Sequence, residues 1–169
     1  MKYPDRRKTG GSAMFSRRTL AGAAALALVA GGVAAQNYNL RPSFGTANLR
    51  FNFAPDPFVV NVTAGGTIPA ERIGGPGCVG TIAQAPDVRL NYQAGGGLPL
   101  WIGARSNADV TLVVNLPNGQ WICNDDFQGT NPGIVLRQPM SGQYDIWVGN
   151  YDRGRGIPTQ VFFSEVPPR

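Results

Sequence analysis

Beyond Gln36 the apolar residues mostly alternate with polar ones, and Gly, Pro, Asn and Asp gather where the alternation breaks. A period of two places successive side chains on opposite faces of an extended chain, so this pattern predicts half-buried strands joined by turns. Leu49, Phe51 and Phe53 make one such row and Phe58, Val60 and Val62 another, with Ala54-Pro55-Asp56-Pro57 as a rigid connection between them. Further strands are predicted over 88–92, 100–105, 110–116, 120–123, 134–137, 143–149 and 159–165. Leu116-Pro117-Asn118-Gly119-Gln120 holds the Asn-Gly pair favoured in tight hairpins, so the strands on either side of it should pair antiparallel. No segment past Gln36 keeps helical spacing over three turns. Many short strands separated by turn signals predict an all-β fold, a single antiparallel β-sandwich over 36–169.

The first 35 residues read differently. From Ser16 to Gln36 the chain runs from paired arginines through an uncharged Ala-rich and Leu-rich stretch to small residues, the layout of a secretory signal peptide. The stretch from Thr19 to Ala35 is too rich in Ala and Gly for a span of about 20 residues. We therefore expect a cleaved leader over 1–35, processing after Val33-Ala34-Ala35, no membrane span after cleavage, and a periplasmic or secreted product. Ser16-Arg17-Arg18-Thr19-Leu20 resembles the twin-arginine export motif, although Ala21-Gly22 departs from it. An ordinary Sec signal explains the same arginines, and both routes stay open. Met14 is an alternative start.

Charge changes the picture in one respect. The formal net charge is +5, but six of the fifteen Lys and Arg residues and one of the ten acids precede Gln36, which leaves nine of each beyond it. A neutral body lacks the clustered cations that displace counterions from a phosphate backbone, so no nucleic-acid partner is expected. Histidine is absent and both lysines, Lys2 and Lys8, lie in the leader. Mechanisms that need an imidazole or a lysine amine are excluded for the body. A serine or cysteine peptidase mechanism fails for want of a base. What remains for catalysis is carboxylate chemistry, and a carboxylate-only hydrolase of glycosidase type is the alternative to a non-catalytic module.

Cys78 and Cys123 are the two cysteines, both past the leader. In an exported protein they are most simply one disulfide closing a 45-residue loop, with two free buried thiols as the other reading. Asp125, Asp126, Asn131 and Asp152 offer hard oxygen ligands in loops that could converge at one end of a sandwich, and calcium is the one cofactor they suggest. The same residues also cap turns through their own side chains. Trp101, Trp147 and Tyr151 are candidates for an aromatic binding surface: if Leu100 and Ile102 face inward then Trp101 faces out, and if Ile146 and Val148 face inward then so does Trp147. Gly75-Pro76-Gly77-Cys78-Val79-Gly80 matches G-x-G-x-x-G in letters, but it lacks the strand and helix that aim amides at phosphate, and reads as a loop around Cys78.

The run from Asp109 through Pro117-Asn118-Gly119 to Asn124-Asp125-Asp126, followed by Ser141-Gly142-Gln143-Tyr144 and Gly149-Asn150-Tyr151, resembles the bacterial pre-peptidase C-terminal domain. The likeness covers about residues 88 to 165. Pro55-Asp56-Pro57-Phe58, Ala64-Gly65-Gly66 and the two cysteines are similar to small stand-alone exported relatives of that domain. The resemblance implies a jelly-roll-like sandwich and an accessory role, with a protein or polysaccharide of the envelope or matrix as partner and no catalysis of its own. Where the family strand often reads Asp-x-Asp, this chain has Asp109 followed by Thr111.

Overall fold

The structure is a computed structural model that describes residues 36–168. The leader expectations over 1–35, including Met14, Arg17 and Arg18, lie outside the described residues.

Two sheets face each other. The first is built around β10 (Gly142–Asn150), which pairs along one edge with β5 (Val88–Gln93) and then β4 (Thr81–Ile82), and along the other with β7 (Val110–Asn115). β1 (Thr46–Arg50) extends this sheet beyond β5, β8 (Trp121–Asn124) beyond β7, and β3 (Ile68–Pro69) beyond β4. The second sheet runs β2 (Phe58–Gly65), β11 (Arg155–Ser164), β6 (Leu100–Arg105), β9 (Gly133–Leu136). Their inner rows meet in one core, where Leu90, Leu112 and Ile146 of the first sheet and Leu100, Ile102 and Phe163 of the second are fully buried. The chain is an all-β sandwich, and it changes sheets from β5 to β6 to β7 and again from β8 to β11, as in a jelly roll.

The predicted strands past Phe58 are all present, β6 on its predicted bounds. Four features differ from the sequence reading. The alternation of Leu49, Phe51 and Phe53 ends as a strand at Arg50, because Asn52 turns into the left-handed region at φ 59° and gives its N–H to Glu165 Oε2 at 2.8 Å. β1 pairs with β5 in parallel, which the long excursion through β2, β3 and β4 permits. The hairpin between β7 and β8 forms, but only Gly119 has positive φ, at 81°: Gly119 N–H returns to the Leu116 carbonyl, closing a three-residue loop rather than an Asn-Gly turn. Finally, β3 and β4 are too short to leave a period in the sequence.

Those short strands shape the outer face of the first sheet. With a 3-10 turn at Ala70–Arg72 between them, they fold over β7 and β10, so that Ala70 and Ile82 pack on Val113 and Trp147 in a second small core. Trp121 lies against Trp147 at 5.2 Å between centroids. Cys78 and Cys123 are disulfide-bonded, with Cα atoms 5.0 Å apart, tying this cover to β8. β7 is therefore buried on both faces, Thr111 and Val113 as fully as Leu112.

One carboxylate mends a gap in the ladder. On the edge of β10, pairing with β5 stops at Ile146 and pairing with β4 starts at Asn150. Asp87, 2% exposed, reaches between them and accepts the Val148 N–H at 2.7 Å, while its own N–H donates to the Ile146 carbonyl at 2.8 Å. A buried N–H is costly without a partner, so the side chain stands in for a missing strand residue. Burial works against its charge and outweighs the Val148 hydrogen bond, raising the Asp87 pKa to about 7.

Candidate functional site

The second sheet leaves its outer face open, and its sequence lays rings there. Along β6 the outward row is Trp101, Gly103 and Arg105; pairing sets Phe162 of β11 beside Gly103, and Gly133 of β9 on the other side. The two glycines form a bed. A Cβ on Gly103 would lie 2.3 Å from Phe162 Cζ, and one on Gly133 would lie 3.0 Å from the Phe127 ring. Rings thus lie flat on bare backbone, a use of glycine inside a strand that allows close approach. The Arg105 guanidinium stacks 4.7 Å above the Phe162 centroid, and Trp101 meets Phe127 edge-on at 5.6 Å.

Beside these rings runs an open groove of about 600 Å³. Its polar lining comes from Asn61 of β2, Thr159 and Gln160 of β11, Arg105, Ser106, Asn107, Gln128 and Asn131, and its lining contains no Asp or Glu. Phe127, 45% exposed, forms one wall. The surface combines apolar stacking with amide donors and acceptors and one cation. Ser106 at the rim is engaged, donating to the Pro158 carbonyl at 3.1 Å and accepting the Ala108 N–H at 3.2 Å.

The residues expected to form an aromatic surface do not converge. Trp101 sits on this face, half-buried against Phe127. Trp147 does point away from the main core as its period requires, but the β3 and β4 segment covers it completely, at 0% exposure. It offers no surface to a partner. Tyr151 is exposed in the turn after β10, outside the groove lining. Phe127 and Phe162, which the sequence reading passed over, take the places of Trp147 and Tyr151. The signals that point to them are glycines inside strands, Gly103 of β6 under Phe162 and Gly133 of β9 under Phe127.

The residues considered for calcium are divided. Asp125, Asp126 and Asp152 lie near enough to Asp109 to act on it: burial first, then these three carboxylates, raise the Asp109 pKa. Asn131 faces elsewhere, its Oδ1 accepting the Ser106 N–H at 2.8 Å. Asn124, at the end of β8, is engaged with β9, its Oδ1 accepting the Gly133 N–H at 2.8 Å. Among the described residues no three His, Cys, Asp or Glu side chains are grouped as ligands.

Other carboxylates are occupied within the fold. Glu165 is buried, accepting from Tyr92 Oη at 2.7 Å and from the Asn52 N–H. Asp56 accepts from Ser164 Oγ at 2.5 Å and from the Glu165 N–H at 3.0 Å, and Asp145 pairs with Arg89 at 2.7 Å. Glu71 is exposed in the 3-10 turn between β3 and β4, 3.5 Å from Arg153. Neither glutamate of the body lines the groove.

No family model matches the chain, and no curated protein does. Among solved structures it is similar to Aeromonas hydrophila PliG, a periplasmic lysozyme inhibitor of g-type lysozyme, at 16% identity and a TM-score of 0.40 over 71% of this chain and 96% of that one. At that TM-score the likeness says nothing of what this chain binds. Among the described residues no helix is long and apolar enough to cross a membrane.

Proposed function

We propose that the chain is an exported, non-catalytic binding module that holds a protein or polysaccharide of the envelope or matrix in the groove on its second sheet. The observation that carries this reading is the lining of that groove, where rings, amides and a single arginine meet with no carboxylate, lysine or histidine among them. Such a surface recognises shape and hydrogen-bonding groups, and it has no acid or base to move a proton. Export rests on the leader, and the accessory role follows the resemblance to pre-peptidase C-terminal domains. Calcium at Asp125, Asp126 and Asp152 is kept as a separate, testable part of the proposal.

Immobilised exported protein challenged with envelope protein and polysaccharide fractions, with and without calcium, tests the reading. Phe127→Ala and Gln160→Ala should each weaken retention of the bound component at least about fivefold, as loss of a central contact does. Tyr151→Ala, outside the groove, should leave it unchanged. Retention that survives both groove substitutions, or shortening of the retained polymer by the wild-type protein, would overturn the proposal.

A further inference from the structure

The second sheet has two edges, and they are not guarded alike. β9 at one edge has four residues, while β2 at the other has eight. Exposed edges are normally kept short, charged, bulged or broken by proline, because a row of unpaired N–H and C=O groups templates another strand. β2 reads Phe58-Val59-Val60-Asn61-Val62-Thr63-Ala64-Gly65, with no charge and no proline. Among the described residues it pairs with β11 alone. The core beside it is also open: inward-facing Phe58 and Val60 are only half-buried, although the residues opposite them in β11, Phe163 and Val161, are fully buried. On the outward side Val59 is 43% exposed.

We propose that β2 pairs antiparallel with β2 of a second copy of this chain, about a two-fold axis at Asn61. The geometry of the edge selects both the occupant and the register. Gly65, at φ 100°, ends the extended run. Immediately after it the chain packs against the β4 backbone, where a Cβ on Gly66 would lie 2.1 Å from the Ile82 carbonyl. The free run is thus Phe58 to Ala64, with Asn61 at its centre. A two-fold axis normal to a sheet must keep inward rows inward, so the axis falls on a residue rather than between two. At Asn61 it sets Val60 opposite the partner's Val62, Phe58 opposite the partner's Ala64, and Val59 opposite the partner's Thr63. Apolar inner rows continue across the junction, the amide of Asn61 meets its own copy, and no charges oppose each other. A strand that pairs with itself needs this freedom from like-charge contacts, because like charges directly opposite destabilise a sheet. The result is one continuous eight-stranded sheet made from two four-stranded ones, with Phe58 and Val60 covered.

The test uses the exported protein and its association measured by sedimentation equilibrium up to millimolar concentration. The wild type should dimerise. Asn61→Lys and Asn61→Asp each place like charges face to face, and each should weaken the dimer at least about fivefold. An equal mixture of the two should recover wild-type association or better, because opposite charges then meet across the axis. Asn61 is exposed, and its side chain takes a 3.2 Å hydrogen bond from Gln160, so both variants should fold. As a second arm, Asn61→Cys should cross-link to itself under mild oxidation. A wild type that stays monomeric throughout, a dimer indifferent to Asn61→Lys, or a mixture no stronger than its components would each overturn the proposal.

Discussion

Asp87 gives the sharpest test of the physical reading. Burial in the gap between β4 and β5 pushes its carboxyl up to about 7 in the folded protein, from the ordinary 3.8 of an exposed aspartate. A group whose folded pKa is raised binds its proton more tightly in the folded state, so the stability it contributes is complete below the unfolded value and is lost as pH rises through the folded one. The separation is about three pH units, and at 1.36 kcal/mol per unit the loss between acid and pH 8 comes to about 4 kcal/mol. Asp87→Asn keeps an oxygen to accept the Val148 N–H and cannot ionise. Urea unfolding of both proteins at pH 4 to 8, followed by tryptophan fluorescence, isolates this group because every other titration is shared. The wild type should lose several kcal/mol relative to Asp87→Asn as pH rises, and the variant should be the more stable protein at pH 8. Asp87→Ala, which leaves a buried N–H without an acceptor, should be less stable than either at pH 4 by about 1 to 3 kcal/mol. Parallel pH profiles for wild type and Asp87→Asn would refute the assignment.

Other expectations are more compact. Replacing Cys78 or Cys123 with Ala should cost about 2 to 5 kcal/mol and red-shift the tryptophan emission as the cover over Trp121 and Trp147 loosens, read by thermal unfolding and fluorescence. Gly66→Ala should be the more damaging of two glycine substitutions, since its Cβ meets Ile82 backbone at 2.1 Å, whereas Gly103→Ala meets only the tip of the Phe162 ring; calorimetry of the two variants orders them. Fluorophosphonate should label no serine in the exported protein, and labelling at Ser106 lost on mutation to Ala would count against the non-catalytic reading. Exported protein should begin near Gln36 on N-terminal sequencing, and Lys at both Arg17 and Arg18 should block export only by the twin-arginine route.

The strands were legible wherever alternation alone decides them. Leu100, Ile102 and Ala104 mark β6 to its ends because that strand has one apolar and one mixed face. Period reports which face a residue takes, not whether something covers that face, and this is why Trp147 was placed outward but buried. Its cover consists of two-residue strands and a single 3-10 turn, too short for any periodicity. Leu49 to Phe53 misled in the opposite sense: the alternation runs on through Phe53, which packs at 6.5 Å from Tyr92, while the backbone has already turned at Asn52. The groove was less legible than the fold. Phe162 over Gly103 and Phe127 over Gly133 are contacts between segments distant in sequence, and only the glycines hint at them.

The second small core has a kinetic meaning. β7, and β10 from Tyr144 on, have protein on both faces, with the main core on one side and, over Val113 and Trp147, the disulfide-tied segment on the other. Their amides can meet solvent only when one of those layers lifts, so hydrogen exchange should be slowest there and should fall into two tiers. Opening of the small cover should release the amides of β3 and β4 first, well below the global unfolding free energy. Reduction of Cys78–Cys123 should speed that tier more than it speeds β5, β6 and β11, whose rates should rise by no more than the loss of global stability allows, which would mark the cover as a separately opening unit on the sandwich.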